Sequence, residues 1–319
     1  MDTCSVLGAN FMQKAARIIL GMINTTTCFT ATFGNLLIIL VIFHYKSLRR
    51  RSNYLIVCLA LTDLTVGLVL QPIASAQIFA ESIGKDCKVA YAVTYIGAML
   101  CGASSWILTL ISYDRYLHLV KLQNYNMYMT KRKLRFMVTF CWVYPICLGF
   151  LMFSDVTLDI YYALLVLSAN FNVLVIVFCY WKSYKFIKEK AKIFPRNAGL
   201  TQASNNETDK IRHHWKLAKT FALIIGCYLL CWTPMVIFVV YLMIARKAKL
   251  SFGDFEPYLY TIYQMTLVMG YSNSSMNPVI YFWRNKELKA GMKQFVINTI
   301  LRRQYLLKEN VNVSVQSST

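Results

Sequence analysis

The chain has 319 residues, 57% apolar and 15% charged, with a mean hydropathy of +0.45. Soluble domains carry about 45–50% apolar and about 25% charged residues, which excludes a disordered chain and argues against a soluble multidomain protein. The net charge of +20 would suit a nucleic-acid binder, but the charges cluster between long uncharged runs, so a membrane protein is the first hypothesis.

Residues 1–17 form an N-terminal segment. Seven apolar runs follow, at 18–43, 54–80, 89–113, 136–154, 160–181, 220–245 and 257–283, and Asp63 is the one charged residue within them. A helix needs about 20 residues to cross a bilayer. In hydrocarbon each backbone N–H and C=O must be satisfied within its own segment, so these runs are predicted helices. Barrel strands would alternate polar and apolar residues over about ten positions, a pattern the sequence lacks. The first run is too long for a signal peptide and no small-residue cleavage site follows it. The expected fold is all-α: an integral membrane seven-transmembrane helix bundle (18–283), a surface helix (284–303) and a flexible tail (304–319).

Seven crossings put the termini on opposite sides. With the N-terminus outside, the inner segments 44–53, 114–135, 182–219 and 284–319 hold 27 of the 34 Lys and Arg residues. Positive residues favour the cytoplasmic side, so the N-terminus is expected to be extracellular and the C-terminus cytoplasmic. A basic inner face attracts anionic membrane lipid, and no nucleic acid is needed to explain it. Segment 182–219 is polar and basic, with breakers at 195–199 and at Ser204, Asn205 and Asn206. It reads either as a solvated loop extending the fifth and sixth spans or as a docking surface for a cytosolic partner. From Asn285 to Arg303, the spacing of Leu288, Met292, Phe295, Val296 and Ile300 suits a helix lying on the membrane.

Specific residues then appear span by span. The first carries Gly34-Asn35, the second Leu59-Ala60-Leu61-Thr62-Asp63-Leu64, and the third ends in Asp114-Arg115-Tyr116. The fourth carries Trp142, the sixth Cys231-Trp232-Thr233-Pro234, and the seventh Asn277-Pro278-Val279-Ile280-Tyr281. Each motif alone is weak. All of them, in order and on successive spans, make the chain resemble the rhodopsin-like (class A) G-protein-coupled receptors over nearly its full length. That resemblance implies a plasma-membrane receptor without covalent chemistry, coupled to a heterotrimeric G protein, with arrestin and receptor kinases as further partners. The tail residues Ser314, Ser317, Ser318 and Thr319 could be phosphorylated for arrestin or could be inert.

An ionisable residue at mid-membrane is a functional candidate by default, because burying it is expensive. The family's sodium pocket combines the Asp63 position with Ser104, Asn273, Ser274 and Asn277, with Asn35 nearby. The alternative is a helix-packing hydrogen-bond network around a protonated Asp63. Pro234 removes a backbone hydrogen bond inside the sixth span and should kink it. Trp232, two residues earlier, matches the family's ligand-sensing position; the alternative is a lipid-facing aromatic. The resemblance also casts Tyr180 and Tyr281 as tyrosines that approach each other when the sixth helix swings out. It makes Arg115 a contact for the G protein that pairs with Asp114 at rest; a snorkelling surface Arg is the alternative.

Some positions depart from the family. His214 replaces the acid that often restrains the Arg, which implies measurable signalling without ligand. Asn172, Ser105 and Tyr228 alter the connector beneath the pocket. Gly97 stands where amine receptors place an Asp, which disfavours a biogenic amine. Tyr271 stands where opsins place the retinal-linking Lys, so no retinal is expected. The predicted pocket lining is Gln71, Tyr95, Gly97, Ala98, Cys101, Trp232, Gln264 and Tyr271. The second outer loop, about 155–159, lacks the usual Cys, so Cys4 and Cys87 are the candidate disulfide. Short-loop members lacking the fifth-span Pro occur in the melanocortin, adenosine and lipid receptor group, the melanocortin branch being nearest in these deletions, and the ligand stays open as an extracellular small molecule, lipid or peptide. A seven-helix transporter or channel is the rival from another class. It would need a polar or charged path along the helices, or broken helices on both sides of an internal repeat; Asp63 is the one charge there and no repeat is seen. A non-retinal chemosensory receptor is a further alternative.

Overall fold

Each apolar run becomes a long helix. In the computed structural model, which describes residues 11–83, 90–121, 124–153, 155–193, 202–250, 256–299 and 301, the described residues contain no strand. The first span is α1 (Phe11–His44). The second is α2 (Arg51–Thr65) and α3 (Gln71–Ser82), joined by a π-helical turn at Val66–Leu70. The third is α4 (Ala90–Val120), followed by a single turn, α5 (Tyr125–Tyr128). The fourth to seventh are α6 (Lys131–Gly149), α7 (Asp155–Ile193), α8 (Gln202–Lys247) and α9 (Glu256–Arg284). Helix resumes at 286–299, called α10 here.

Pro72 accounts for the π turn. It has no N–H to give Leu68, and the Gln71 N–H reaches back five residues to the Val66 carbonyl. Thr130 caps α6, its hydroxyl accepting from the Lys133 N–H at 3.2 Å. Asn285 caps α10 likewise, through the Leu288 N–H at 3.0 Å.

The helices close a ring. α1 packs on α9, α2 and α3; α2 on α4; α4 on α6 and α7; α7 on α8; and α8 on α9. Gly34 lets α1 meet α9 closely, since a β-carbon there would stand 2.7 Å from the Pro278 ring. Among the described residues, five stretches are long and apolar enough to cross a membrane: Phe11–His44, Asn53–Ser82, Ala92–Val120, Ile160–Glu189 and Ala222–Lys247. α6 and α9 are less apolar, because α6 opens with four basic residues in five and α9 carries a polar row at 272–277. Packing on α4 places α6 in the ring, and packing on α1 and α8 places α9. Large apolar side chains such as Leu230 (73% exposed) and Leu174 (68%) point outward. Hydrocarbon is the solvent that suits such a surface.

Several boundaries differ from those read in the sequence. α1 begins at Phe11, seven residues before the expected span, so part of the segment taken as an N-terminal tail is helix. α6 ends at Gly149, a 3₁₀ turn covers Phe150–Phe153, and α7 begins at Asp155. The expected outer loop at 155–159 is therefore helix. α7 runs on to Ile193 and α8 starts at Gln202, so Ser204, Asn205 and Asn206 lie within a helix and break nothing. Helix hydrogen bonds absorb these polar residues more readily than local turns do, because a long helix adds one backbone bond per residue. The stretch at 195–199 lies outside the described residues. α10 buries Leu288 and Met292 against the bundle, whereas Val296 is 41% exposed.

Candidate functional site

Asp63 is fully buried between α2, α4 and α9. The Ser104 hydroxyl donates to its Oδ1 at 3.2 Å and the Asn277 amide to its Oδ2 at 2.7 Å. Ser274 is buried on α9, one turn before Asn277. Asn35 donates to the Ala31 and Ser274 carbonyls at 2.8 and 3.1 Å, which leaves its own buried Oδ1 without a partner. Asn273 is buried on α9 nearby in sequence. One carboxylate, two hydroxyls and an orphaned amide oxygen are hard donors, and they suit a small monovalent cation. Among the described residues no three His, Cys, Asp or Glu converge, so the set does not resemble that of a transition metal.

A cavity of about 290 Å³ opens between α4, α6, α7, α8 and α9. Gly97, Ala98, Cys101, Trp232 and Tyr271, five of the eight predicted lining residues, line it, and among the described residues no charged one does. A β-carbon on Gly97 would stand 2.9 Å from the Tyr271 hydroxyl, so the phenol fills the space a side chain would need. That hydroxyl is buried and makes no hydrogen bond. The Trp232 ring lies against α9, 3.1 Å from where a Gly270 β-carbon would be. The three altered connector residues come together around the cavity. Thr109 donates to the Asn172 Oδ1 at 3.0 Å, and Ser105 and Tyr228 line the same cavity. Thr109 was not singled out in the sequence, because a threonine in an apolar run carries no distinct signal.

Three predicted lining residues lie elsewhere. Gln71 faces α1, donating to Thr27 at 2.9 Å and Asn24 at 3.3 Å. Tyr95 faces α6, its ring 6.1 Å from that of Phe150 and packed over Gly149. Two residues turn a helix by about 200°, so Tyr95 and Gly97 cannot share a face. Gln264 stands two turns beyond Tyr271 and donates to Glu81.

At the other end of α4, Arg115 Nε stands 4.0 Å from Asp114 Oδ2, a loose contact by hydrogen-bond standards. Asp114 is held more closely by Tyr125, whose hydroxyl donates to Oδ1 at 2.5 Å. The Tyr116 ring lies 6.3 Å from Phe178. Tyr180 is on the surface of α7, while Tyr281 is buried with its hydroxyl making no hydrogen bond, so this structure does not join the two. The His214 side chain, Cys4 and Cys87 lie outside the described residues.

Residues 34–158 and 154–281 match the sequence pattern of the 7 transmembrane receptor (rhodopsin family). The chain belongs to that family. Its members are receptors rather than enzymes. The chain is 26% identical to the rat (Rattus norvegicus) histamine H2 receptor, over 88% of this chain and 80% of that one. It is 25% identical to the alpha-1A adrenergic receptor of Oryzias latipes, over 92% and 70%. To the Cavia porcellus 5-hydroxytryptamine receptor 4 it is 26% identical, over 82% and 75%. Squid rhodopsin shares the fold, with a TM-score of 0.68 at 20% identity, covering 90% of this chain and 87% of that one. The short second loop had suggested melanocortin and adenosine receptors, whereas these relatives are named for amines or adrenergic signalling.

At the Glu81 end, this rhodopsin-family receptor buries two charges that sequence reasoning missed. Glu81 Oε1 accepts from Tyr260 at 2.8 Å and Gln77 at 2.7 Å, and its Oε2 accepts from Gln264. Arg17 is fully buried with its Cζ 5.4 Å from the Tyr260 ring centroid, and its guanidinium makes no hydrogen bond. Both residues stand one position outside the apolar runs 18–43 and 54–80. The apolar runs on either side could have been extended through them only by allowing a charge inside a helix.

Proposed function

We propose that this rhodopsin-family receptor carries binding of a small neutral ligand in the central cavity to a heterotrimeric G protein, through outward movement of α8. The N-terminus is extracellular and the C-terminus cytoplasmic, on the strength of the bias of 27 among 34 basic residues to the inner segments. The observation that carries the ligand reading is the Tyr271 phenol over Gly97. The relatives named for histamine and 5-hydroxytryptamine bind amines by name. An ammonium group in this cavity would meet no carboxylate among the described residues, and stripping water from a charge without a counter-charge is expensive.

The switch reading rests on Pro234, which breaks the backbone ladder of α8 two residues after Trp232. A ligand that packs Trp232 differently in two arrangements of α8 would shift their populations; equal affinity for both would shift nothing. Arg115 is the output toward the G protein, with Asp114 and Tyr116 beside it and Tyr180, Asn277, Pro278 and Tyr281 along the route. Sodium is the proposed allosteric modulator at Asp63, Ser104 and Ser274, with Asn273, Asn277 and Asn35 around it. When bound it supplies the counter-charge to a carboxylate otherwise held by neutral donors. Arrestin and receptor kinases are proposed partners of the tail.

The test is a library of neutral and amine compounds read by biosensors for several G-protein classes, with Arg115→Ala as the silent control. Neutral hits lost in Trp232→Ala support the reading. Amine hits that survive Tyr271→Phe and Trp232→Ala overturn it.

A further inference from the structure

The central cavity has a neighbour on the lipid side of α8. A groove of about 730 Å³ runs between the outward faces of α8 and α9, lined by Leu229, Leu230, Thr233, Pro234, Ile237 and Thr266 among others. Leu230 and Ile237 are 73% and 64% exposed there, inside the stretch Ala222–Lys247 that is apolar enough to cross a bilayer. The groove therefore opens to hydrocarbon. Its polar content is small, and one of its hydroxyls is already engaged: Thr266 donates to the Tyr263 carbonyl at 2.8 Å.

Leu229 and Thr233 line both spaces, the groove outside and the cavity inside. The partition at this point is one side chain thick. It also lies where α8 is weakest. Pro234 has no N–H to give the Leu230 carbonyl, so the backbone bond that would brace the 229–233 turn is missing. Immediately inside the partition is Trp232, resting on α9 at Gly270. A molecule crossing here would meet an apolar groove, two small-to-medium side chains, and then a cavity whose described lining carries no charge.

We infer that Leu229 and Thr233 form a gate between the bilayer and the central cavity, and that the ligand is a neutral, lipid-soluble molecule entering from the membrane. The bilayer concentrates such a molecule from water, and the equally apolar groove admits it at little cost. The Tyr271 hydroxyl, buried without a partner, offers a hydrogen bond to a carbonyl, ether or hydroxyl oxygen at the far end of the cavity. A charged or zwitterionic compound is refused twice, by the hydrocarbon and by the lining. This deepens the ligand reading above and rests on the cavity being the ligand site, while the gate itself can be tested without any ligand or signalling output.

Cys101 lines the cavity and is buried, whereas Cys147 on α6 is exposed. The full-length receptor in lipid vesicles is treated with a neutral alkyl methanethiosulfonate that partitions into bilayers, or with its charged trimethylammonium counterpart. Peptide mass mapping follows both thiols. The neutral reagent should modify Cys101 and the charged one should not, with Cys147 as the internal reference. Thr233→Trp should slow Cys101 modification by about tenfold, equivalent to about 1.4 kcal/mol of barrier, and Leu229→Ala should speed it by a similar factor. Having variants of opposite sign keeps the test informative if the larger side chain is not tolerated. Three results would overturn the gate: equal reaction of Cys101 with both reagents, no reaction with the neutral one, or rates unmoved by either wall substitution. A ligand screen that succeeds while the labelling fails would leave the cavity as the ligand site and remove the membrane route.

Discussion

The Tyr271 hydroxyl lies 2.9 Å from the point where a β-carbon on Gly97 would be. The absence of a carboxylate at position 97 of α4 is thus not a gap waiting to be refilled; a ring from α9 occupies the room. Gly97→Asp is expected to overpack the site and destabilise the protein by about 1–3 kcal/mol. Adding Tyr271→Ala should recover most of the loss. Apparent melting temperatures of the purified receptor check this, and a Gly97→Asp protein that melts like wild type would show that the ring moves aside freely.

Asp63 takes hydrogen bonds from Ser104 and Asn277, while the nearby Asn35 Oδ1 stays unmatched. If the cluster holds sodium, replacing sodium chloride by choline chloride should lower the melting temperature of the wild-type receptor. Asp63→Asn should abolish that dependence, and Ser104→Ala should weaken sodium affinity by roughly tenfold, the equivalent of one lost ligand contact at about 1.4 kcal/mol. An unchanged salt response in Asp63→Asn would mean that the ion acts elsewhere.

How far the sequence carries can be seen in these same residues. The seven crossings, the ring's likeness to a rhodopsin-type bundle and the polar set around Asp63 were all legible, because apolar length and an isolated charge are strong local signals. The placement of side chains around a helix was less so. Tyr95 and Gln71 went to the wrong faces, since an apolar helix surrounded by apolar neighbours has almost no periodicity to fix its rotation. The Glu81 network depends on Gln77, Tyr260 and Gln264 from two helices, and nothing local announces that they converge. Tyr125 was invisible for the same reason: its partner Asp114 is eleven residues away across a turn.

The Asp114 contacts bear on resting activity. Its carboxylate engages Tyr125 at 2.5 Å and Arg115 only at 4.0 Å. Charge-assisted hydrogen bonds of good geometry are the strong ones, so Tyr125 holds the Asp114 carboxylate more firmly than Arg115 does. Second-messenger signalling above that of mock-transfected cells is expected without added ligand. Tyr125→Phe should free Asp114 to turn toward Arg115 and lower that signal several-fold, whereas Asp114→Asn should raise it. Basal signalling indistinguishable from background, at matched surface expression, would refute this account.

Arg17 and Glu81 show buried charges treated unequally. Glu81 has three donors, while the Arg17 guanidinium has a tyrosine face and no acceptor. Removing the acceptor should be the damaging change. Glu81→Ala strands the donors of Tyr260, Gln77 and Gln264, and each buried donor left unmatched costs about 1–3 kcal/mol. Arg17→Met keeps most of the volume and removes a charge that is poorly compensated where it stands, and replacing buried ionic groups by apolar ones is often neutral or stabilising. The melting temperature should therefore fall sharply in Glu81→Ala and hold or rise in Arg17→Met. If instead both substitutions lower it equally, and the double variant is no worse than either single one, the two charges act as a coupled pair across the Tyr260 ring, and Arg17 is the counter-charge that Glu81 requires.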